Sequence, residues 1–370
     1  MSKKYEEEKE KTKKDLQSAV AVSLTADMWT SINMEAYLAV TCHYVDKDSH
    51  ELCSSVLGVQ HFPQKHTAEN MATVKRTLME EWGIADKVRC LVTDAAPNMI
   101  SCARMLQIRQ TICIAHSMNL IVRKACDQIP TFTEIRSKTR HIVTYFRSST
   151  TVKEKLSQMQ QQLGIPFHKL INEVPTRWNS TYQMLERMTE QKEAVWVSLA
   201  SLKPDITPLT PEEFKVIEEM LRVLVPFYQA TRELSEEKRV SGSKVIPLMR
   251  MIHIDLQHQA TTVTKTAAQQ LAENLRKRLL EVICNMESLS VMTLATLLDP
   301  RFKTVAFVSP QKAGDAVKRL KLECAAEMRI HESDPAGEEP SSSHASEPSS
   351  GMKTRFFVLF CIFLWHFVMW

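Results

Sequence analysis

A succession of strand-type segments in the first third of the chain limits most strongly the folds that it can adopt. From Ala19 onward the runs AVAVSLTADMW, AYLAVTCHYVD and CSSVLGVQHF are apolar and rich in β-branched residues, which is the composition of β-strands. Their lengths and spacing predict one strand followed by two antiparallel partners.

The next segment, TAENMATVKRTLMEEWGI, changes to helical spacing. Four apolar residues recur along one helix face: Met71, Val74, Leu78 and Trp82. Thr67 is placed to cap this helix and Gly83 to close it. The next segment, VRCLVTDAA, predicts a short buried strand. The segment CIAHSMNLIVRKAC begins with a short apolar stretch and then turns into a helix. The order β-β-β-α-β is that of an α/β RNase H-like core with a mixed sheet.

Beyond Phe132 the pattern is helical almost throughout, and the whole chain of 370 residues has only seven glycines. We therefore predict a charged leader over residues 1–18, an incomplete RNase H-like core over 19–145 and a large all-α insertion domain over 146–332. The charge-rich leader is expected to be an exposed helix or disordered.

The C-terminal part changes character twice. The Pro/Ser/Glu-rich segment 333–352 cannot bury enough apolar surface to fold, so we predict a disordered linker. In the apolar tail, 353–370, the run FFVLFCIFLWHFVMW is short of the roughly 20 residues of a bilayer span. We interpret it as a divergent terminus from a translated intron or a gene-model error, with a membrane anchor as the alternative.

Charge and cysteine usage narrow the classes of function. The net charge is only +4, so any DNA contact must come from local patches such as KTRH at 138–141 and RKR at 276–278. These patches are alternatively solvated helix faces. Nine cysteines without paired spacing and a charged N-terminus argue against secretion and indicate a reducing compartment, the cytoplasm or the nucleus.

Two aspartates, Asp27 and Asp94, each lie at the C-terminal end of a predicted strand, so their side chains can meet at one edge of the sheet. Phosphoryl transfer on DNA uses divalent cations, and Mg²⁺ or Mn²⁺ prefers carboxylate oxygens. The pair is therefore a candidate metal site that a third acid would complete. The alternative is that each aspartate caps the turn that follows it.

Five sequence blocks occur in order between residues 20 and 305: TADMWTS, VTDAAPNM, CIAHSMNL, TRWNSTYQML and LATLLDPRFK. Together they resemble the hAT superfamily of DNA transposases, close to the domesticated zinc finger BED domain-containing proteins. The resemblance implies that Asp27 and Asp94 match the first two acids of a DDE triad, and that Trp29 belongs to an Asp-x-Trp signature.

The resemblance also assigns DNA-facing roles to other residues. Cys113 and His116 match a Cys-x-x-His pair, for which we expect a structural or DNA-facing role; a half zinc site completed by Cys90 or Cys102 is the disfavoured alternative. Arg177 and Trp178 match an Arg-Trp block that can stack on a flipped base. Their alternative role is helix packing by the tryptophan beside a snorkelling arginine.

The sequence also departs from the family pattern. We identify neither the third catalytic glutamate, nor the C-terminal dimerisation region through which the family oligomerises, nor a BED zinc finger. We therefore expect a truncated, non-catalytic remnant that associates with DNA or chromatin in the nucleus and regulates transcription. Two alternatives stay open: a metal-dependent transposase or nuclease that borrows Glu281 or Glu287, and a protein-interaction scaffold built from the helical half.

Overall fold

The computed structural model of this protein describes residues 2–235, 242–259 and 266–332. The predicted linker, 333–352, and the apolar tail, 353–370, lie outside the described residues. The four strands predicted up to Asp94 are confirmed. The fifth strand lies at residues 109–112, before the short apolar start expected at Cys113, where a helix begins at Ile114 instead. The five strands form one sheet. The strands are β1 (Val22–Thr30), β2 (Ala36–Val45), β3 (Leu52–His61), β4 (Val88–Thr93) and β5 (Arg109–Ile112).

The sheet is mixed, as predicted, with the strand order β3-β2-β1-β4-β5. β1 and β3 each pair antiparallel with β2, whereas β4 runs parallel to both β1 and β5. The three N-terminal strands therefore form a meander, and β4 and β5 extend it on the other side of β1. This order brings the carboxyl ends of β4 and β5 to the same edge of the sheet as the second half of β1.

Four helices accompany these strands: α1 (Ser2–Ser18), α2 (Ala68–Glu81), α3 (Pro97–Met105) and α4 (Ile114–Cys126). The predicted boundaries of α2 are confirmed, because the Thr67 hydroxyl accepts a hydrogen bond from the Asn70 amide and Gly83 has a φ of 66°. Trp82 is buried and its indole N–H donates to the Leu57 carbonyl at 3.0 Å.

The charged leader is a helix rather than a disordered segment. It is exposed along most of its length, but Leu16 near its C-terminal end is fully buried in the core beside β1 and β2. The Lys87 ammonium donates to the Leu16 and Gln17 carbonyls, at 3.2 and 2.5 Å. The leader is therefore attached to the sheet by its end.

The described residues beyond Phe132 are mostly helical, as predicted. They form α5 (Pro130–Ser148), α6 (Thr150–Leu163), α7 (Trp178–Glu190), α8 (Lys192–Leu202), α9 (Pro211–Leu234), α10 (Gly242–Gln259), α11 (Ala267–Met286), α12 (Ser290–Leu298) and α13 (Pro310–Glu332).

The chain divides into two compact units that do not follow sequence order. The first comprises the described residues within Met1–Ser117, Glu233–Arg250 and Ile283–Trp370; the second comprises Met118–Arg232 and those within Met251–Val282. This division breaks α4 after Ser117, whereas the sequence predicts a domain boundary after residue 145. The first unit therefore contains the sheet together with C-terminal helices, and α12 packs against β5.

The LDPRF block has a structural role in the first unit. Both carboxylate oxygens of Asp299 accept hydrogen bonds from Arg301, at 2.6 and 2.9 Å, and Ser243 at the start of α10 contributes a further one. The Arg301 hydrogen bonds lower the pKa of Asp299 to about 2. This block therefore fixes the turn that ends α12.

Among the described residues, no single helix has the length and apolar composition needed to cross a membrane. The helices Ala267–Met286 and Ser290–Leu298 meet that criterion only when taken together, across a bend of 86°.

Candidate functional site

The two predicted aspartates lie at the same level of neighbouring parallel strands. Thr25 of β1 pairs with Val92 of β4, and Asp27 and Asp94 each follow their paired residue by two positions. Asp94 comes directly after the end of β4, whereas β1 continues past Asp27 through its pairing with β2. The expected convergence at one sheet edge is therefore present in the backbone register.

The electrostatics indicate that these two carboxyl groups are close together. Burial raises the pKa of Asp27 above its ordinary value; the backbone amide of Met28 opposes this, the Asp94 charge adds to it, and His116 lowers it. Two acids and one imidazole therefore share one region of the sheet edge.

One oxygen of each aspartate is used locally. Oδ1 of Asp27 accepts from the Met28 amide at 2.9 Å, and Oδ1 of Asp94 accepts from the Ala96 amide at 3.1 Å. The turn-capping role considered for Asp94 is thus present, and it leaves the second oxygen for other contacts. Two carboxylates of this kind suit one hard cation that keeps several waters, as Mg²⁺ commonly does.

The described residues contain no group of three or more His, Cys, Asp or Glu side chains arranged to hold a metal ion. Glu287, one of the two acids considered as a third ligand, is buried, and its oxygens accept from the backbone amides of Val308 and Ser309 at 2.5 and 3.2 Å. Glu287 therefore binds the backbone amides that immediately precede α13. Glu281 is exposed on α11 in the second unit.

Cys113 and His116 lie where β5 passes into α4. The Cys113 amide donates to the Thr93 carbonyl at 2.7 Å, which places Cys113 beside Asp94, and the Cys113 sulfur accepts from the His116 amide at 3.5 Å. Burial raises the pKa of the Cys113 thiol to about 12, so this side chain is a neutral helix cap at ordinary pH. This geometry supports the structural role for Cys113, whereas His116 is exposed and acts electrostatically on Asp27.

Lys75 is a residue that sequence reasoning missed. It is fully buried between α2 and α3, and its ammonium lies 3.6 Å from the Cys102 sulfur and 3.7 Å from the Met99 sulfur. Burial lowers its pKa, while Cys102 and the Asp94 charge raise it. The sequence contains one signal of this burial. Lys75 lies on the predicted apolar face of the helix, one turn from both Met71 and Leu78.

The Arg-Trp block lies in the second unit at the start of α7. Trp178 is buried and packs edge-on against Tyr182 and Tyr228, which favours the packing alternative for this ring. Arg177 is exposed at the cap position of the same helix. Stacking on a base therefore stays a prediction that suits the arginine better than the tryptophan.

Asn119 of the CIAHSMNL block holds the Arg-Trp block in place. Its amide nitrogen donates to the Thr176 carbonyl and its oxygen accepts from the Trp178 amide, both at 2.9 Å. These bonds fix the backbone on either side of Arg177. Two of the five sequence blocks are thus joined by one side chain.

Glu173 anchors the irregular segment that precedes α7. Its side chain is fully buried and accepts hydrogen bonds from Arg136 at 2.7 Å, Arg140 at 2.6 Å and Thr181 at 2.8 Å. Burial alone would raise the pKa of Glu173, but the Arg136 and Thr181 hydrogen bonds and the two arginine charges lower it overall.

Part of the charge of the predicted basic patches is compensated by ion pairs. In KTRH, Lys138 pairs with Glu213 at 2.9 Å and Arg140 with Glu173; in RKR, Lys277 pairs with Glu273 at 3.1 Å. Ion pairing of this kind favours the alternative that these patches are ordinary helix faces. A strong nonspecific DNA groove at these two positions is not supported.

Comparison with known proteins matches the same parts of the chain. Residues 25–120 match the family model described as the ZBED1 RNase-like domain, and residues 111–223 match the ZBED1 RNase-like helical domain. This chain belongs to the family of hAT transposases and the zinc finger BED domain-containing proteins related to them. The two matched domains contain Asp27, Asp94, Cys113, His116, Arg177 and Trp178, whereas Glu281, Glu287 and the RKR patch lie beyond them.

The relatives of this hAT-type chain include a zinc finger BED domain-containing protein, a putative transposase and a putative transcriptional regulator. Zinc finger BED domain-containing protein 4 of Homo sapiens is 28% identical over 84% of this chain and 27% of its own length. Putative AC transposase of Zea mays is 27% identical over 85% of this chain and 41% of its own length. Putative transcriptional regulator tpeD of Talaromyces stipitatus is 24% identical over 65% of this chain and 33% of its own length. The chain thus spans about a quarter to two fifths of these relatives.

Proposed function

We propose that this chain is a transposase-derived nuclear protein that associates with DNA and takes part in transcription regulation without cutting DNA. The mixed sheet, with its antiparallel meander followed by two parallel strands, agrees with an RNase H-like core, and the helices after α4 agree with an all-α insertion. The names of the relatives, among them a putative transcriptional regulator, support the regulatory part of the proposal.

The observation that carries the proposal is the carboxylate pair of Asp27 and Asp94 beside His116. A cation held there by two carboxylates and water could bridge the protein to a backbone phosphate, and His116 would lie near the same phosphate. Within the described ranges a third ligand does not join them, and Glu287 is engaged with backbone amides. We therefore expect cation-assisted DNA contact rather than cleavage.

Two other candidates each have one observation in their favour. The Asp94 charge raises the pKa of Asp27, as expected where acids are gathered to hold a cation, and this favours a metal-dependent transposase or nuclease. On α8, Trp196 and Val197 are 41% and 44% exposed, which favours a protein-interaction scaffold.

The test is a calorimetric titration of Mn²⁺ and Mg²⁺ into the full chain, together with anisotropy of a labelled duplex DNA over a range of salt concentrations. We expect cation binding that is lost in the Asp27→Asn/Asp94→Asn variant, and DNA binding that Mn²⁺ strengthens in the wild type only. Asp48→Asn, an exposed acid between β2 and β3, is the matched control and should behave as the wild type.

We expect the variant to stay folded, so that a loss of cation binding reports on the site itself. Because burial raises the folded-state pKa of Asp27, its ionised form opposes folding at neutral pH, and a neutral amide relieves that cost.

Cation-dependent nicking of DNA would replace the proposal with the nuclease alternative. Failure to bind DNA at low salt would leave the scaffold alternative.

A further inference from the structure

The turn between β1 and β2 exposes two large apolar side chains. Ile32 is 101% exposed and Met34 is 83% exposed, the highest values among the large apolar side chains of the described residues. They lie at the tip of a hairpin whose first strand contains Asp27 and Trp29. Isolated exposed apolar residues need no explanation, but the two most exposed ones meet here at one turn.

This hairpin tip, Ser31–Glu35, is held by several hydrogen bonds. The Ser31 amide donates to the Glu35 carbonyl at 2.7 Å, the Met34 amide to the Ser31 carbonyl at 3.0 Å, and the Glu35 amide to the Ser31 hydroxyl at 3.2 Å. Met34 has a φ of 62°, in the left-handed region that favours glycine. Such strain persists where the surrounding structure fixes it, often at a functional site.

An aromatic strip continues from the tip across the sheet. The rings of Trp29 and Tyr37 are 5.8 Å apart and nearly parallel, at 19°, and those of Tyr37 and His61 are 5.6 Å apart. Because side chains alternate along a strand, Trp29 lies on the same face as Asp27, and the register pairs Tyr37 with Trp29. All three rings are at least partly exposed.

The form of the tip, two apolar side chains at a narrow turn, fits nucleic acid as its partner. DNA-bending proteins insert one or two apolar side chains between bases and unstack a single step. Aromatic rings then offer a surface on which an unpaired base can stack.

We propose that the hairpin tip is a wedge that inserts Ile32 and Met34 into a base step of DNA, and that the aromatic strip receives the displaced base. This inference rests on the proposed association with DNA and specifies its mode: the protein recognises a distorted or partly unpaired duplex.

The test uses the full chain and a short duplex that carries 2-aminopurine beside a central mismatch, because a mismatched step costs less to open. We expect wild-type binding to increase the 2-aminopurine fluorescence and to favour the mismatched duplex over a matched one by on the order of tenfold. In the Ile32→Ser/Met34→Ser variant, both the fluorescence change and this preference should be lost, while binding to matched DNA persists.

Val56→Ser is the matched control, since Val56 is also an exposed apolar residue of the same sheet, at 56% exposure, but pairs with Thr41 away from the tip. It should retain the mismatch preference. If the wild type binds DNA with unchanged fluorescence and no mismatch preference, the wedge is wrong while the DNA association stands. If the tip variant instead changes the oligomeric state in light scattering, the tip is a protein interface and the wedge is likewise wrong.

Discussion

At the scale of single residues, Lys75 combines a charged group with a site that water does not reach. Its ammonium lies against the sulfurs of Met99 and Cys102, which are weak hydrogen-bond acceptors, and it is fully buried. The desolvation of the ammonium is therefore incompletely compensated, and burial lowers its pKa.

We expect Lys75→Met to raise the free energy of unfolding by roughly 1–2 kcal/mol, because a side chain of similar length replaces a buried amine. Since the folded-state pKa of Lys75 is lowered, the unfolded chain binds the additional proton, and the wild type gains stability as pH rises toward 10.5. The advantage of the variant should shrink over the same interval in urea unfolding curves.

Lys75→Ala is the control for this substitution, because it removes the charge but leaves a cavity, and should be less stable than Lys75→Met by about 2 kcal/mol or more. A Lys75→Met protein that is less stable than the wild type at neutral pH would mean that the ammonium has a favourable role, through Asp94 or Cys102.

The residues of the candidate site were predictable to different degrees. The strand pattern foresaw Asp94 at the end of β4, whereas Asp27 lies three residues before the end of β1 and is brought level with Asp94 by the parallel register. The burial of Trp178 could not be foreseen, because it depends on Tyr228, which lies far away in sequence and reaches the ring through helix packing. Local spacing carries no information about such a contact.

At the scale of elements, Glu173 determines how the segment between α6 and α7 is held. Two arginines of α5 and the hydroxyl of Thr181 on α7 converge on this buried carboxylate. The segment needs such an anchor because it has no regular backbone hydrogen bonding of its own.

We expect Glu173→Gln to lower the free energy of unfolding by about 2 kcal/mol, since two cations lose their anion, although the partly exposed Arg140 moderates the loss. Because the folded-state pKa of Glu173 is lowered, its contribution is present above 4.5 and is lost at more acidic pH. The variant and the wild type should therefore converge in acid, and hydrogen exchange should accelerate over residues 165–177.

Glu193→Gln, an exposed acid at the start of α8, is the matched control and should leave both measurements unchanged. Equal exchange rates in the Glu173→Gln variant and the wild type would show that the neighbouring hydrogen bonds, and not this ion pair, hold the segment.

The elements themselves followed from local patterns, but their grouping did not. Alternation, caps and helical spacing predicted β1 to β4 and α2, since each pattern reflects a local burial face. The division after Ser117 depends on which distant helices cover the sheet. That choice is made by tertiary packing between α12 and β5 and leaves no periodic signal in either segment.

At the scale of the whole molecule, the sheet-containing unit is assembled from three separate stretches of the chain. The predicted core, 19–145, therefore lacks α12, whose residues Val291, Met292, Leu294 and Ala295 are buried. The sequence separation is large, since β5 begins at Arg109 and α12 ends at Leu298. The stability of the sheet should therefore depend on residues nearly 200 positions away.

We expect Leu294→Ala in the full chain to destabilise the sheet-containing unit by about 2–5 kcal/mol, because it removes buried methyl groups and leaves a cavity. Hydrogen exchange should then accelerate in β4 and β5 and stay unchanged in α5 and α6, which belong to the other unit. The exposed Leu322→Ala is the matched control and should alter neither. Acceleration confined to the second unit would mean that α12 belongs energetically with the helices, so that the core would be the continuous N-terminal segment that strand patterns alone suggest.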